Sequence, residues 1–364
     1  MRIALVAPPW FPIPPEGYGG IERVVYLLGR GLVELGHDVT VFGRKGRPSK
    51  LRTVDLVRGD WSHKLLGPDH MVLWLDYMTR VHNALKERSF DLIHEHNEAM
   101  GAAFAALSSP DAPYLTTLHN EISPALAQLL RRVECSTGLV AISNAQKRTA
   151  NGLRWAGVVH NAVETDVPVP TRPAKEDYVI QLARLNPEKG QHLSIQAARR
   201  LKIPLVLAGK LDTNAASRKY FREKIEPHLG NGVRWIKDLR GPRKWRLLAG
   251  AKAMLFPIQW EEPFGLAMAE AMVVGTPVLA FPRGAAPEIV EEGLTGFIVR
   301  NVTEMVTTFK QRLDEIDPEL CSTHSRERFS HVEMARGYEQ LYRKTVEKKQ
   351  AAEAAKDPSP LRGG

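Results

Sequence analysis

Short apolar runs alternate with amphipathic stretches along most of this 364-residue chain. The apolar runs have the length of buried strands, whereas the stretches between them carry apolar side chains at the spacing of one helix face. Strands that alternate with helices in this way form parallel sheets. The pattern therefore predicts an α/β fold. The predicted strands are residues 3–7, 39–42, 91–94, 114–118, 139–142, 178–183, 205–208, 233–236, 253–256, 277–280 and 297–299.

The alternating pattern starts twice, which predicts two Rossmann-like domains. Three prolines, Pro168, Pro170 and Pro173, separate the halves as an interdomain linker would. Ligands of open parallel sheets bind at the carboxyl ends of the strands, so functional side chains are expected there. The predicted segments are an N-terminal domain (1–165), a C-terminal domain (166–325), a helix that packs back on the N-terminal domain (326–349) and a disordered tail (350–364).

The composition excludes several classes of protein. Hydrophobic residues make up 43% and charged residues 25% of the chain, as in an ordinary globular protein. No run of about 18 uncharged apolar residues occurs, so no transmembrane helix is expected. The two cysteines, Cys135 and Cys321, lie far apart in no metal-like spacing, which favours a reducing cytoplasm. No motif of a nucleic-acid-binding protein is present, and no nucleic acid partner is expected.

The formal net charge of the chain is +9, and part of it falls in one N-terminal region. Basic residues cluster there ahead of the aromatic Trp61, and such clusters can bind anionic surfaces. One interpretation is peripheral contact with the inner face of a membrane, and the other is a solvated basic loop. The basic residues are Arg44, Lys45, Arg47, Lys50 and Arg52.

Two carboxylates, Glu262 and Glu270, are separated by seven residues. Pro263 and Gly265 mark a turn between them, so the first acid is expected in a loop and the second inside the helix that follows. The free N–H groups of a helix start attract phosphate, and carboxylates accept hydrogen bonds from sugar and ribose hydroxyls. The alternative is an ordinary pair of helix acids, but the apolar neighbours of Glu270 predict a buried position, where a carboxylate needs a partner. The pattern favours a nucleotide-sugar ligand.

Two cations, Arg184 and Lys189, lie in a predicted loop between a strand and a helix. A guanidinium can bind phosphate oxygens through two parallel hydrogen bonds, and an ammonium adds a compact charge. Together they could neutralise a diphosphate and stabilise it as a leaving group. An isolated pair of loop cations would more often be merely solvated.

Five segments resemble the retaining glycosyltransferases of family four, which have the GT-B fold. The segment with two glutamates and its upstream Arg and Lys is fairly specific, whereas the first glycine-rich segment alone is weak. The resemblance runs from near residue 1 to about residue 345. It implies two Rossmann-like parallel-sheet domains facing a cleft, with the acceptor bound by the N-terminal domain and the nucleotide-sugar donor by the C-terminal one. The segments are residues 18–23, 91–96, 183–190, 262–271 and 275–278.

The resemblance implies roles for the matched residues of the donor domain. Arg184 and Lys189 would contact the donor diphosphate. Glu270 would hold the ribose hydroxyls, and Glu262 the hydroxyls of the transferred sugar. The backbone N–H groups expected to meet the distal phosphate are those of Phe264, Gly265 and Leu266.

In the N-terminal half, Gly19 and Gly20 would let a loop approach the donor or acceptor closely, because they carry no Cβ. His119 matches a family histidine near the reacting sugar. His94 and His96 are two residues apart on one predicted strand, which makes them a possible metal pair. No third ligand and no Asp-x-Asp motif accompanies them, so no metal and no other cofactor is expected. We interpret His94 as structural and His96 as an acceptor-side candidate.

The implied reaction is sugar transfer with retention of the anomeric configuration. No carboxylate is obviously placed as a covalent nucleophile, so the diphosphate itself is expected to take the acceptor proton. Two alternatives stay open at this stage. A GT-B nucleotide-sugar epimerase would need only the donor, and a non-catalytic nucleotide-sugar binding protein would bind the donor without turning it over.

Overall fold

The computed structural model describes residues 1–17, 19–64, 67–108, 111–169 and 174–356. The chain divides into two compact units. The first unit comprises residues 1–142, 149–159 and those from His331 onward, and the second comprises residues 143–148 and 160–330. The change of unit at Val159 lies ahead of the prolines that predicted a linker. Of these, Pro170 and Pro173 lie outside the described residues, as does Tyr18 of the first matched segment.

Each unit contains one parallel β-sheet with helices, which confirms the predicted α/β fold class. The strands are β1 (Arg2–Val6), β2 (Pro12–Ile13), β3 (Asp38–Lys45), β4 (Arg52–Asp55), β5 (Leu92–Glu95), β6 (Tyr114–Thr117), β7 (Gly138–Ala141), β8 (Trp155–Val158), β9 (Val179–Leu182), β10 (Leu205–Ala208), β11 (Val233–Ile236), β12 (Ala253–Phe256), β13 (Val278–Ala280) and β14 (Gly296–Ile298). The helices are α1 (Gly20–Glu34), α2 (His70–Lys86), α3 (Glu98–Ser108), α4 (Pro124–Val133), α5 (Asn144–Thr149), α6 (Gln191–Leu201), α7 (Ala215–Tyr220), α8 (Gly241–Gly250), α9 (Leu266–Met272), α10 (Ala286–Ile289), α11 (Val302–Arg312), α12 (Pro318–Arg328) and α13 (His331–Lys356).

In the first unit the strands follow the order β2-β3-β1-β5-β6-β7-β8, with β4 also paired to β3. The central strand β1 is fully buried from Ile3 to Val6, because helices cover both faces of a parallel sheet. The sequence pattern missed β2, β4 and β8. These strands are short or half-exposed, and such edge strands do not carry the continuous apolar run of a central strand.

In the second unit the order is β11-β10-β9-β12-β13-β14, and all pairs are parallel. The sequence pattern placed every one of these strands to within a residue or two, because most of their residues are buried and apolar. The order reverses between β9 and β12, so the loops after these two strands flank the point where open parallel sheets bind ligands.

The C-terminal region differs from the prediction of one helix over 326–349 followed by a disordered tail. The structure has two helices there, α12 in the second unit and α13 in the first, and α13 continues through 350–356. Ala, Glu and Lys favour helix, and Lys349 and Glu353 form an ion pair one turn apart at 3.8 Å, which explains the extension. The remainder of the predicted tail, 357–364, lies outside the described residues.

Helix α13 packs closely against α1 within the first unit. A Cβ on Gly31 of α1 would lie 2.3 Å from the carbonyl oxygen of His331 and 2.7 Å from the Cβ of Ala335, so only glycine allows this approach. Tyr338 and Tyr342 are fully buried, and their hydroxyls bond to Thr117 and His94 beneath.

Candidate active site

The matched residues of the second unit gather where β9 and β12 end. These strands are parallel neighbours, so the loops that follow them leave the same edge of the sheet. The loop after β9 carries Arg184 and Lys189, and the loop after β12 carries Glu262. A hydrogen bond of 2.7 Å from the Gln259 N–H to the Glu188 carbonyl ties the two loops together.

Lys189 and Glu262 form the closest pair of opposite charges in this group. The Lys189 Nζ lies 2.6 Å from Glu262 Oε2, and the two side chains are only 10% and 14% exposed. The Trp260 Nε1–H donates to the same oxygen at 3.1 Å, and Lys189 Nζ lies 4.3 Å from the centroid of the Trp260 ring. Trp260 therefore fixes both charges, although the sequence offered no motif that singled it out.

The loop after β9 holds Lys189 through its own turn chemistry. Asn186 caps a 3₁₀ turn (Pro187–Lys189) and accepts a hydrogen bond from the Lys189 N–H at 3.1 Å. Gly190 follows with φ of 67°, and a Cβ there would lie 2.1 Å from the Pro257 carbonyl oxygen. The Asn and Gly are thus required to bring the lysine to the loop after β12.

Arg184 is held by a carboxylate from a third strand end. Its Nη1 lies 2.8 Å from Asp212 Oδ2, and the Asn186 Nδ2 donates to the same oxygen at 2.9 Å. The Arg184 side chain is 41% exposed, so the guanidinium also faces solvent. Asp212 was not among the sequence candidates. Its position just after the neighbouring strand β10 is the signal that would have found it.

Glu270 lies in the second turn of α9 and is paired with a lysine of α8. Lys244 Nζ lies 2.8 Å from Glu270 Oε1, and both side chains are 12% exposed. The helix has only seven residues, and its remaining side chains are mostly buried. The expectation that a carboxylate in this apolar helix needs a partner is met by Lys244, which sequence reasoning missed.

The turn between the two acids leaves backbone donors available. Gly265 has φ of 89°, a left-handed backbone conformation that strains any residue with a Cβ, so the turn favours glycine. Within the described chain, the N–H groups of Phe264 and Gly265 donate to no backbone acceptor. The Phe264 side chain is buried and anchors the turn.

The other sequence candidates lie in the first unit. Gly19 has φ of 136° and immediately precedes α1, whose first residue is Gly20. His96 Nδ1 lies 2.9 Å from His119 Nε2, and burial lowers the pKa of His119 to about 3. Both imidazoles are therefore neutral near pH 7, because burial also holds the pKa of His96 well below its usual range.

His94 and His96 do not share a strand, because β5 ends at Glu95. The ring nitrogens of His94 bond to Tyr342 and Thr117 hydroxyls, each at 2.7 Å, which gives His94 a structural role. Among the described residues no group of three His, Cys, Asp or Glu side chains is placed to hold a metal ion. Nor does any helix in the described ranges have the length and apolar character to cross a membrane.

Sequence reasoning also missed two buried acids of the first unit. Burial raises the pKa of Glu22 and of Glu95 to about 8, although each accepts a hydrogen bond, from the Phe11 N–H and from Asn97 Nδ2 respectively. A Cβ on Gly101 would lie 2.7 Å from Glu95 Oε2, so α3 passes directly over this carboxyl group.

We expect these two acids to make the first unit less stable as the pH rises from about 5 to 8. The folded state keeps protons that the unfolded chain has already lost near pH 4.5, so unfolding becomes easier across this window. Glu95→Gln keeps the amide contact and removes the titration. Its free energy of unfolding in urea should lie close to that of the wild type at pH 5 and exceed it at pH 8, by roughly 3–4 kcal/mol. The exposed Glu347→Gln is the control. Equal pH dependence in wild type and Glu95→Gln would contradict the expectation.

Comparison with known proteins defines the class. Residues 18–167 match the family described as Glycosyltransferase Family 4, and residues 163–319 match the family described as Glycosyl transferases group 1. Together the two matches span both units. The two matches support a glycosyltransferase like those of family four, and the fold is GT-B.

Individual relatives agree with this class. The glycogen synthase of Mycobacterium tuberculosis (strain ATCC 25618 / H37Rv) is 27% identical over 369 residues, covering 86% of each chain. The crystal structure of AviGT4, a glycosyltransferase involved in avilamycin A biosynthesis, is 26% identical with a TM-score of 0.75 and covers 95% of this chain and 98% of its own. The structure of HepE from Anabaena, in complex with UDP and glucose, shares the fold at 20% identity, with a TM-score of 0.73 and coverage of 93% and 98%.

Proposed function

We propose that this protein transfers a sugar from a nucleotide-diphosphate sugar to an acceptor hydroxyl, with retention of the anomeric configuration. The observation that carries the proposal is the Lys189–Glu262 contact of 2.6 Å at the carboxyl ends of β9 and β12. In this contact a cation, which we assign to the phosphate, lies directly beside a carboxylate, which we assign to the sugar hydroxyls. The N–H groups of Phe264 and Gly265, which donate to no backbone acceptor within the described residues, follow immediately in the chain.

Donor binding is proposed to move Lys189 from Glu262 to the diphosphate, while Arg184 keeps its Nη1 on Asp212 and meets the diphosphate with its other N–H groups. Without ligand, Lys189 neutralises Glu262, and Asp212 holds Arg184. The diphosphate oxygens then take hydrogen bonds from Lys189 and Arg184, and Glu262 becomes free to accept from the hydroxyls of the transferred sugar. Glu270 accepts from the ribose hydroxyls. The N–H groups assigned to the distal phosphate are those of Phe264, Gly265 and Leu266.

In the proposed chemical step the acceptor oxygen forms a bond to the anomeric carbon while the bond from that carbon to the diphosphate breaks. The acceptor proton passes to an oxygen of the leaving diphosphate, so neither an enzyme nucleophile nor a metal is needed. Lys189 and Arg184 stabilise the charge that develops on the diphosphate. The neutral His119, with Gly19 and Gly20, is assigned to the reacting sugar, and His96 to the acceptor side.

A thermal-shift screen with UDP-, GDP- and ADP-sugars tests donor binding, because only a ligand of the native state raises its stability. A donor that stabilises the protein should then yield a product with the anomeric configuration of the donor, by NMR, in buffer containing EDTA. Conversion of the donor without an acceptor would favour the epimerase. Binding with neither hydrolysis nor transfer across a panel of acceptors would favour the non-catalytic reading.

Removing Asp212 should weaken donor binding more than it slows turnover. Asp212→Ala removes one partner of the half-exposed Arg184 guanidinium, which then has less orientational order before it meets phosphate. An exposed contact of this kind contributes up to about 1 kcal/mol, so we expect roughly a fivefold rise in the donor KM with little change in kcat. Asp177→Ala, which removes an exposed partner of Lys252, is the control. An unchanged KM would exclude the positioning role.

Peripheral membrane contact stays a proposal, with one correction. Trp61 cannot contribute to it, because it is 7% exposed and packs on Trp10 with ring centroids 6.5 Å apart. Four of the basic residues are exposed, namely Lys45, Arg47, Lys50 and Arg52. Salt-sensitive binding to liposomes with anionic lipid would support the contact, and equal recovery with neutral liposomes would exclude it.

A further inference from the structure

We propose that Lys244 is a positioning residue that orients Glu270 toward the ribose hydroxyls of the donor and thereby sets the preference for ribose over deoxyribose. This inference rests on the proposed function, because it concerns the same donor site. It extends that function to a residue outside every segment that carries the family resemblance.

The contacts of Lys244 confine its ammonium group to one place. Its Nζ lies 2.8 Å from Glu270 Oε1 and 4.0 Å from the centroid of the Trp245 ring. Lys244 belongs to α8 and Glu270 to α9, so the pair joins two elements that leave different strands of the sheet. At 12% exposure neither side chain can swing into solvent without losing its packing.

The pair leaves one oxygen of the carboxylate for a ligand. Lys244 occupies Oε1 of Glu270, and within the described residues no protein donor is found on Oε2. Glu262 shows the same arrangement, since Lys189 and Trp260 both contact its Oε2. Each acid is therefore fixed through one oxygen and open at the other. A hydroxyl of the ribose can donate to the open oxygen of Glu270.

Lys244 also cancels a charge that would oppose the donor. A largely buried Glu270 without a cation would place a negative charge near an anionic diphosphate. A nearly buried ion pair gains little net stability, because desolvation offsets the attraction. Orientation and charge balance at the site therefore explain this pair better than fold stability does.

The experiment compares nucleotides that differ by one hydroxyl. Binding of UDP, GDP and ADP and of their 2′-deoxy counterparts is measured by calorimetry on wild type, Lys244→Met and Lys244→Arg. The wild type should prefer the ribonucleotide of its cognate base by about tenfold, the value of one hydrogen bond. Lys244→Met should bind that ribonucleotide about tenfold more weakly and lose most of the preference. Lys244→Arg, which restores a cation, should regain part of it.

Steady-state kinetics supply a second readout. Lys244→Met should raise the donor KM about tenfold and leave kcat within about twofold, because ribose binding is the same in ground and transition states. Lys252→Met, which removes an exposed lysine paired with Asp177 in the same unit, should change neither quantity. If Lys244→Met does not fold, Lys244→Gln, which removes the charge but keeps a polar side chain, carries the same comparison.

The outcomes separate the two proposals. If the wild type binds none of the six nucleotides, the proposed function fails and this inference fails with it. If the wild type binds and discriminates but Lys244→Met keeps the full ribose preference, only the role of Lys244 is overturned. A fall in kcat with unchanged KM would equally overturn it, because that pattern belongs to a group acting in the transition state.

Discussion

Replacing Lys189 by methionine should reduce kcat about 100- to 1,000-fold, the range seen when one charge-stabilising donor is removed from a catalytic site. Lys189 is 10% exposed, so its charge acts on the leaving diphosphate with little screening by water. Arg184→Ala should cost less, because the guanidinium is 41% exposed. Single-turnover measurements at saturating donor would report the loss in the chemical step.

The Lys189→Met variant should lose fold stability as well as turnover, so the free energy of unfolding is measured beside kcat. Lys189→Met leaves Glu262 without a cation at 14% exposure, although Trp260 still donates to it, and this destabilises the protein. The double variant Lys189→Met/Glu262→Gln removes that charge, so it should recover stability while turnover stays low. Lys310→Met, at an exposed position of α11, is the control for loss of a lysine. Turnover of Lys189→Met near that of the wild type would exclude the proposed leaving-group role.

Much of the second unit was predictable from the sequence because its strands are buried and apolar. The central strands β9, β10 and β12 carry continuous apolar runs, and the residues that follow such runs stand at the ligand-binding edge. Arg184 and Glu262 were therefore found by their position as well as by their spacing. The roles assigned to them stay predictions until donor binding is measured.

Which side chains hold these residues was not predictable, because Lys244 and Asp212 come from elements distant in sequence from their partners. Lys244 precedes Glu270 by a strand and a helix start, and Asp212 follows Arg184 across a whole helix. Trp260 is close in sequence to Glu262, but its role depends on a ring orientation that no spacing rule specifies. Charge pairing between loops is a tertiary property, whereas the motifs record only the order of residues along the chain.

In the first unit, the burial of Glu95 was likewise not predictable from the sequence. Glu95 lies between two histidines in a polar segment that reads as a set of candidate ligands. The fold buries its carboxyl group beneath Gly101 and raises its pKa to about 8. Burial of this kind depends on the helix that follows, and the glycine that permits it is recognisable only after the packing is known. The prediction of a disordered tail from residue 350 was wrong for the opposite reason. Residues 350–356 of α13 are kept helical by local propensity alone, so knowledge of the packing was not needed to predict them.

Gly284→Ala should displace the backbone of Glu262 without replacing any residue that we assign to donor binding. Gly284 has φ of 54°, and a Cβ there would lie 2.2 Å from both the backbone nitrogen and the carbonyl oxygen of Glu262. The backbone of the loop after β12 would have to move, and the hydrogen bond of 2.8 Å from the Ala285 N–H to the Glu262 carbonyl would break. We expect a loss of about 2–4 kcal/mol in the free energy of unfolding, from steric strain and the unfavourable φ together.

The same displacement should lower kcat/KM about 100-fold, because a shift of roughly 1 Å in a sugar-orienting carboxylate misplaces the reacting carbon. Gly293→Ala is a matched control. Its φ is 76°, yet nothing lies within 4 Å of the added Cβ, so it carries the backbone strain without the collision. Comparing the two variants by urea unfolding and donor kinetics separates strain from displacement. If Gly284→Ala matched Gly293→Ala in kcat/KM, the position of the Glu262 backbone would not control turnover, and the role proposed for its carboxylate would fall with it.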